Sequence, residues 1–114
     1  MEPKLGTPAA PAAVSVPAPG AFHVGPGHVI VHGNAAFLDA FGPASVGQPA
    51  REALVDLPSV AFDLMDEVYR TGRPLARQIR TPFGERRLVV APRRDPETGE
   101  TYGVTSHLAR PRPS

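Results

Sequence analysis

The nine residues Asn34-Ala35-Ala36-Phe37-Leu38-Asp39-Ala40-Phe41-Gly42 constrain the architecture of this 114-residue chain more than any other stretch. A short apolar run ends at Asn34, whose side-chain oxygen suits an N-cap because it can accept from an amide left without a partner in the first helical turn. Gly42 suits the position just past a helix end. Between them Phe37 and Phe41 lie four apart, on one helical face. The stretch therefore predicts a strand that stops, a helix of one to two turns that covers one end of a pocket, and a sharp exit.

The flanking sequence repeats this alternation of β-compatible runs and breakers. Residues 21–24 and 28–32 read as an antiparallel hairpin joined through Gly25-Pro26-Gly27. Short helical turns are expected between Pro43 and Pro58, with 51–57 the best piece. The strongest helix is expected over 60–71, with Ser59 as cap and Gly72 as terminator. There Ala61, Leu64, Met65 and Val68 make one apolar stripe. Three more β-runs follow, over 75–80, 87–91 and 102–109. They are joined through Thr81-Pro82-Phe83-Gly84 and Asp95-Pro96-Glu97-Thr98-Gly99, both with turn chemistry. Helices grouped between two strands and three strands predict an α+β fold, a five-stranded antiparallel sheet with short helices packed on one face.

Composition narrows the chemistry. Charged residues make up 20% of the chain and the formal net charge is +1, so no global field recommends nucleic acid or a membrane surface as partner. Cysteine is absent, which removes disulfides, thiolate metal sites and thiol nucleophiles. No apolar run approaches the roughly 20 residues that span a bilayer, and a cytoplasmic protein is the expectation. Residues 1–20 are dominated by Pro and Ala and carry too few large apolar groups to offset the entropy of ordering them. They read as a disordered tail, residues 111–114 as a flexible C-terminus, and residues 21–110 as the folded domain.

Over residues 21–110 the chain resembles a PAS domain. The features that carry the resemblance are the hairpin ending in Asn34-Ala35-Ala36-Phe37 with Phe41-Gly42, then Gly47-Gln48-Pro49-Ala50-Arg51-Glu52, then residues 68–71 with Gly72. Ala91-Pro92-Arg93-Arg94-Asp95 before Gly99 and Gly103-Val104 completes the set. The resemblance implies a sensory or protein-interaction module in signal transduction, of the kind found in bacterial regulators, binding a small ligand or a signalling partner protein and working as a homodimer. It also allows the cofactor-bearing branches to be tested. Flavin photosensors that form a thiol adduct need a cysteine, which this chain lacks. Haem-binding relatives supply a histidine from the long helix, and residues 60–71 contain none. No cofactor is assigned.

The expected pocket walls are Phe37, Phe41, Leu54, Phe62, Met65, Val68, Ile79 and Val89. Burying each such side chain gains roughly 1.5 to 3 kcal/mol, so a filled core is favoured over an open cavity. Alternation along 102–109 puts Gly103, Thr105 and His107 on one strand face and Val104, Ser106 and Leu108 on the other. The resemblance implies that Thr105 and His107 are polar handles facing the cavity; the opposite assignment leaves them outside. His23, His28 and His32 are read as solvated or sheet-packed, with His28 and His32 sharing a strand face and no metal site formed. Arg86, Arg87, Arg93 and Arg94 are read as paired locally with acidic neighbours or simply solvated. Asp63 with Glu67 and Asp66 with Arg70 are read as ordinary pairs on an exposed helix face. No phosphate loop, serine elbow or paired-histidine motif is present, so no catalytic residue is assigned. Two alternatives stand beside the sensor: a cone-shaped α+β isomerase or hydrolase using a buried acid such as Asp39 or His107, and a dimerisation module with a filled core.

Overall fold

The computed structural model describes residues 18–111. The tail expected over 1–20 falls outside these residues as far as residue 17, and so do residues 112–114. Five strands, β1 (Gly20–Val24), β2 (Val29–Gly33), β3 (Leu75–Thr81), β4 (Gly84–Arg94) and β5 (Thr101–Ala109), form one sheet. Its order is β2-β1-β5-β4-β3 with every pair antiparallel. Three α-helices, α1 (Ala35–Phe41), α2 (Ala50–Ala53) and α3 (Ser59–Thr71), lie between β2 and β3 in sequence, with a 3-10 turn at Pro43–Ser45. The α+β fold with helices over one sheet face is the one that the alternation of strands and breakers implied.

One sheet face is oily because alternate residues share a side. Ala21, Ile30, Ile79, Leu88, Val90, Val104 and Leu108 are buried beneath the helices. α3 lies across β3, β4 and β5, contributing Ala61, Phe62, Leu64, Met65 and Val68 to this layer. Gly72 ends α3 in the left-handed region at φ 71°, and its amide returns to the Val68 carbonyl. Arg94 then donates to the Gly72 carbonyl, tying the helix end to β4. Two boundaries differ from expectation. Pro58, not Ser59, occupies the α3 N-cap, without a side-chain capping bond, and Ser59 is the first helical residue. The piece expected over 51–57 is a single turn, Ala50–Ala53, because its place is set by β2: Ala50 N–H donates to the His28 carbonyl and Ile30 N–H to the Gln48 carbonyl.

The β1–β2 hairpin is irregular at both ends. His28 sits in the turn with φ 54°, in the left-handed region that a residue with a Cβ enters at a cost. A bulge then leaves Val31 without a partner between the Ile30–His23 and His32–Phe22 pairs. The period-2 pattern is therefore broken, and His28 and His32 do not share a face: His28 is buried and His32 exposed.

Candidate functional site

The first site element is the cap predicted from Asn34. Its Oδ1 accepts from Phe37 N–H at 2.8 Å, as an N-cap does, and also from Gly20 N–H at 3.1 Å. Its Nδ2 donates to the Ala18 carbonyl at 2.9 Å, so one side chain fastens α1 to the start of β1. Phe37 is buried and its ring lies against Gly33, where a Cβ would collide with it. Phe41 is half-buried, with ring centroids 5.0 Å from Phe37 and 5.8 Å from Phe83. Phe83, at the tip of the β3–β4 hairpin, extends the aromatic row and was not singled out by sequence; as a turn residue it had no periodicity to mark it.

Five of the expected walls, Leu54, Phe62, Met65, Val68 and Ile79, are buried beneath the helices together with Phe37. They pack closely. The space left between Phe37, Phe41, Leu54, Leu57, Met65 and Leu108 is about 10 Å³, which is the volume of about one water. Three expected walls lie elsewhere. Val89, Thr105 and His107 are on the opposite face of the sheet, where His107 pairs across with Val89 and Thr105 with Phe22 and Ala91. The implied inward orientation of Thr105 and His107 is thus reversed. Val104, Ser106 and Leu108 take the buried side, because the apolar pair gains more from desolvation than a threonine and an imidazole would.

Thr105 and His107 instead line a groove of about 530 Å³ on the outer face, with Gly20, Phe22, His32, Asn34 and Arg93 among its walls. Gly20, without a side chain of its own, lies opposite His107 in the wall of this groove. Arg93 covers the Phe22 ring at 5.1 Å, a cation–π arrangement. This arginine therefore works against an aromatic ring rather than an acidic neighbour. Arg80, which had not been grouped with the edge arginines, is the one paired with Glu85, at 3.1 Å.

The third element is a buried polar cluster that the sequence concealed. His23 and His28 are fully buried, with exposures of 0% and 1%. His23 Nε2 meets Ser106 Oγ at 2.7 Å and His28 Nε2 meets Asp66 Oδ1 at 2.7 Å. Arg51 completes the set by donating to Asp66 Oδ2 at 3.0 Å, and the Tyr69 ring stands edge-on to His28 at 5.9 Å. Asp66 does lie on the exposed side of α3, but its partners are His28 and Arg51 rather than Arg70. Desolvation pushes its carboxyl up, but the hydrogen bonds and charges of Arg51 and His28 outweigh that and leave it below its ordinary value. Burial, followed by the nearby His28, pulls His23 down to about 4, against an opposing contribution from the His28 backbone. The sole hint in the sequence was that Asp66 and Tyr69 flank the buried stripe of α3. Asp39, the other acid considered, is exposed, as is His107. The buried acid–base arrangement required by the isomerase or hydrolase alternative is not formed by either.

The sequence matches no family model, and no curated protein matches it. Solved structures do resemble it. The Vibrio cholerae VqmA dimer without target DNA aligns with a TM-score of 0.63 at 18% identity, over 84% of this chain and 47% of that one. VqmA bound to DPO gives 0.64 at 17% identity, over 90% and 55%. A light-oxygen-voltage domain studied with a flavin analogue gives 0.62 at 17% identity, over 83% and 78%. The fold is PAS-like. This chain spans about half the length of the VqmA chains it matches. Its interior does not fit a flavin as packed, since about 10 Å³ remains between the walls and no cysteine is present for an adduct. Nor does it offer a haem ligand on α3: the buried histidine nearest that helix, His28, is engaged with Asp66.

Proposed function

We propose that this chain is a non-enzymatic PAS-type sensory and protein-interaction module in signal transduction, working as a cytoplasmic homodimer that associates through the outer face of its sheet. The observation that carries this reading is the contrast between two spaces: about 10 Å³ between Phe37, Phe41, Leu54, Leu57, Met65 and Leu108, and about 530 Å³ in the groove on the outer face. Around that groove Phe22, Val89 and Ala91 are only partly covered, and Thr105, Asn34 and His107 supply directional polar contacts. Apolar centres with a few polar groups are what recognition surfaces present. The VqmA structure of similar fold is described as a dimer, which supports a dimer here. Any small ligand is taken at the groove rather than in the interior, and signals by favouring one of two dimer arrangements. Asp63, Asp66 and Glu67 on the exposed side of α3 would repel phosphate, so nucleic acid is not assigned as a direct partner of this unit.

The test is native mass spectrometry with light scattering on the wild-type chain and on Val89→Glu. A dimer in the wild type that becomes a monomer of unchanged melting temperature in the variant is the expected result. A wild-type monomer, or a variant that dimerises as well as the wild type, overturns the proposal. Turnover of a carbonyl or ester panel that is lost in His107→Ala would restore the enzyme alternative.

A further inference from the structure

Neither the groove nor the core explains why a small domain buries two imidazoles side by side. His23 on β1 and His28 in the β1–β2 turn are both nearly inaccessible, and each has an Nδ1 without a hydrogen-bond partner among the described residues. An unpaired imidazole lone pair is tolerable in that setting, whereas an unpaired N–H with a positive charge is costly. A proton added at the His23 Nδ1 makes such a group, and His28 lies close enough to oppose it.

The groups facing this pair come from four elements. α3 supplies the Asp66 carboxylate and the Tyr69 ring, α2 supplies Arg51 through Asp66, β5 supplies the Ser106 hydroxyl, and the turn supplies His28 itself. Asp66 offers the compensating negative charge, but it is bound to His28 Nε2 and shared with Arg51, so it serves one imidazole and not the other. Ser106 gives His23 a neutral partner only.

We propose that the β1–β2 hairpin is an acid-operated latch: proton uptake at buried His23, beside His28, releases the hairpin from α3 and β5, while the β3–β4 side of the sheet stays closed. The imidazoles regain water when the turn opens, and the closed form is recovered when the proton leaves. Phe22 and His32, two groove walls, belong to the same hairpin, so opening also dismantles that side of the groove. This last consequence rests on the groove being the association surface; the latch itself does not.

Hydrogen exchange on the full chain reads the opening directly, as protection factors at pH 7 and pH 5. A His23 that titrates at about 4 when closed and at 6.5 when open raises the opening constant roughly twenty-fold between these pH values. The expected result is that loss for residues 20–33 at an opening free energy below that of global unfolding, with residues 75–94 exchanging only at the global value read from urea melts at the same pH. Equal opening free energies in the two segments, or no loss in residues 20–33, overturn the latch. His23→Gln keeps a partner for Ser106 but cannot titrate, and is expected to abolish the difference between the two pH values; a retained difference also overturns it. If that variant fails to fold, the wild-type imidazole C–H resonances decide. A His23 midpoint near 4 supports the latch, and one near 6.5 refutes it. Because oligomeric state plays no part in these readouts, failure of the latch and failure of the dimer are separable.

Discussion

Replacing Asn34 tests the joint on which the cap depends. Asn34→Ala removes three hydrogen bonds at once: those accepted from Phe37 and Gly20 and the one donated to Ala18. The capping bond contributes about 1 kcal/mol, and each of the others a net of about 0.5–1.5 kcal/mol. The sum is about 2–4 kcal/mol. For a domain near 100 residues, where 1 kcal/mol moves the melting temperature by roughly 4–8 °C, this corresponds to a drop of about 8–30 °C. Asn34→Asp keeps both acceptor roles and loses only the donor, so it should cost about 1 kcal/mol. Urea titrations followed by circular dichroism, with the melting temperatures alongside, give the order wild type, Asp, Ala. An Ala variant within about 0.5 kcal/mol of wild type, the range of ordinary surface changes, would refute the hub role. So would an Asp variant as unstable as the Ala one, since the donor to Ala18 would then be the whole effect.

Three further outcomes follow from the same geometry. Gly33→Ala drives a methyl group into the Phe37 ring and should destabilise by about 1–3 kcal/mol in a urea melt; a neutral result would mean that α1 is not pressed onto the sheet. His107→Ala should leave stability within about 0.5 kcal/mol because the side chain is exposed, yet weaken self-association in sedimentation runs, and a large stability loss would contradict its outward placement. Global stability should depend on pH through His23, whose folded value is depressed from 6.5 to about 4. The unfolded chain binds the extra proton in that window, so stability is fully present above pH 6.5. It falls by about 3 kcal/mol as the pH approaches 4. The lowered Asp66 carboxyl removes more stability at pH values below 3.8. Denaturation midpoints that stay flat from pH 7 to pH 4.5 would show that His23 is not desolvated in the native state.

Local signals were legible where the residue itself dictates the backbone. Asn34 and Gly42 bracket α1, and Gly72 ends α3, as their side-chain chemistry implies. The strands were readable from alternation, although β4 runs from Gly84 to Arg94, well past the 87–91 expected. Its ends are held by pairing to β3 and β5 rather than by propensity. Ser59 was a reasonable cap by residue type, but the cap position fell to Pro58 because the preceding loop fixes where the helix can begin.

The site was far less legible, because it depends on which of two equivalent strand faces turns inward. Alternation along β5 separates Thr105 and His107 from Val104 and Leu108, and nothing within β5 says which set is buried. The choice is made by the helices that cover the sheet, and it leaves the polar set lining an external groove. Likewise no local pattern pairs His28 with Asp66, 38 positions apart, or His23 with Ser106, 83 positions apart. The amino-acid order by itself determined the succession of elements, the Asn34 and Gly42 ends of α1, the Gly72 end of α3 and the antiparallel class, since these follow from backbone preference and short-range periodicity. Tertiary packing alone decided that the interior closes to about 10 Å³, that the groove lies outside, and that two histidines are sealed away from water. Burial is a property of surfaces meeting, and those surfaces come from segments far apart in the chain.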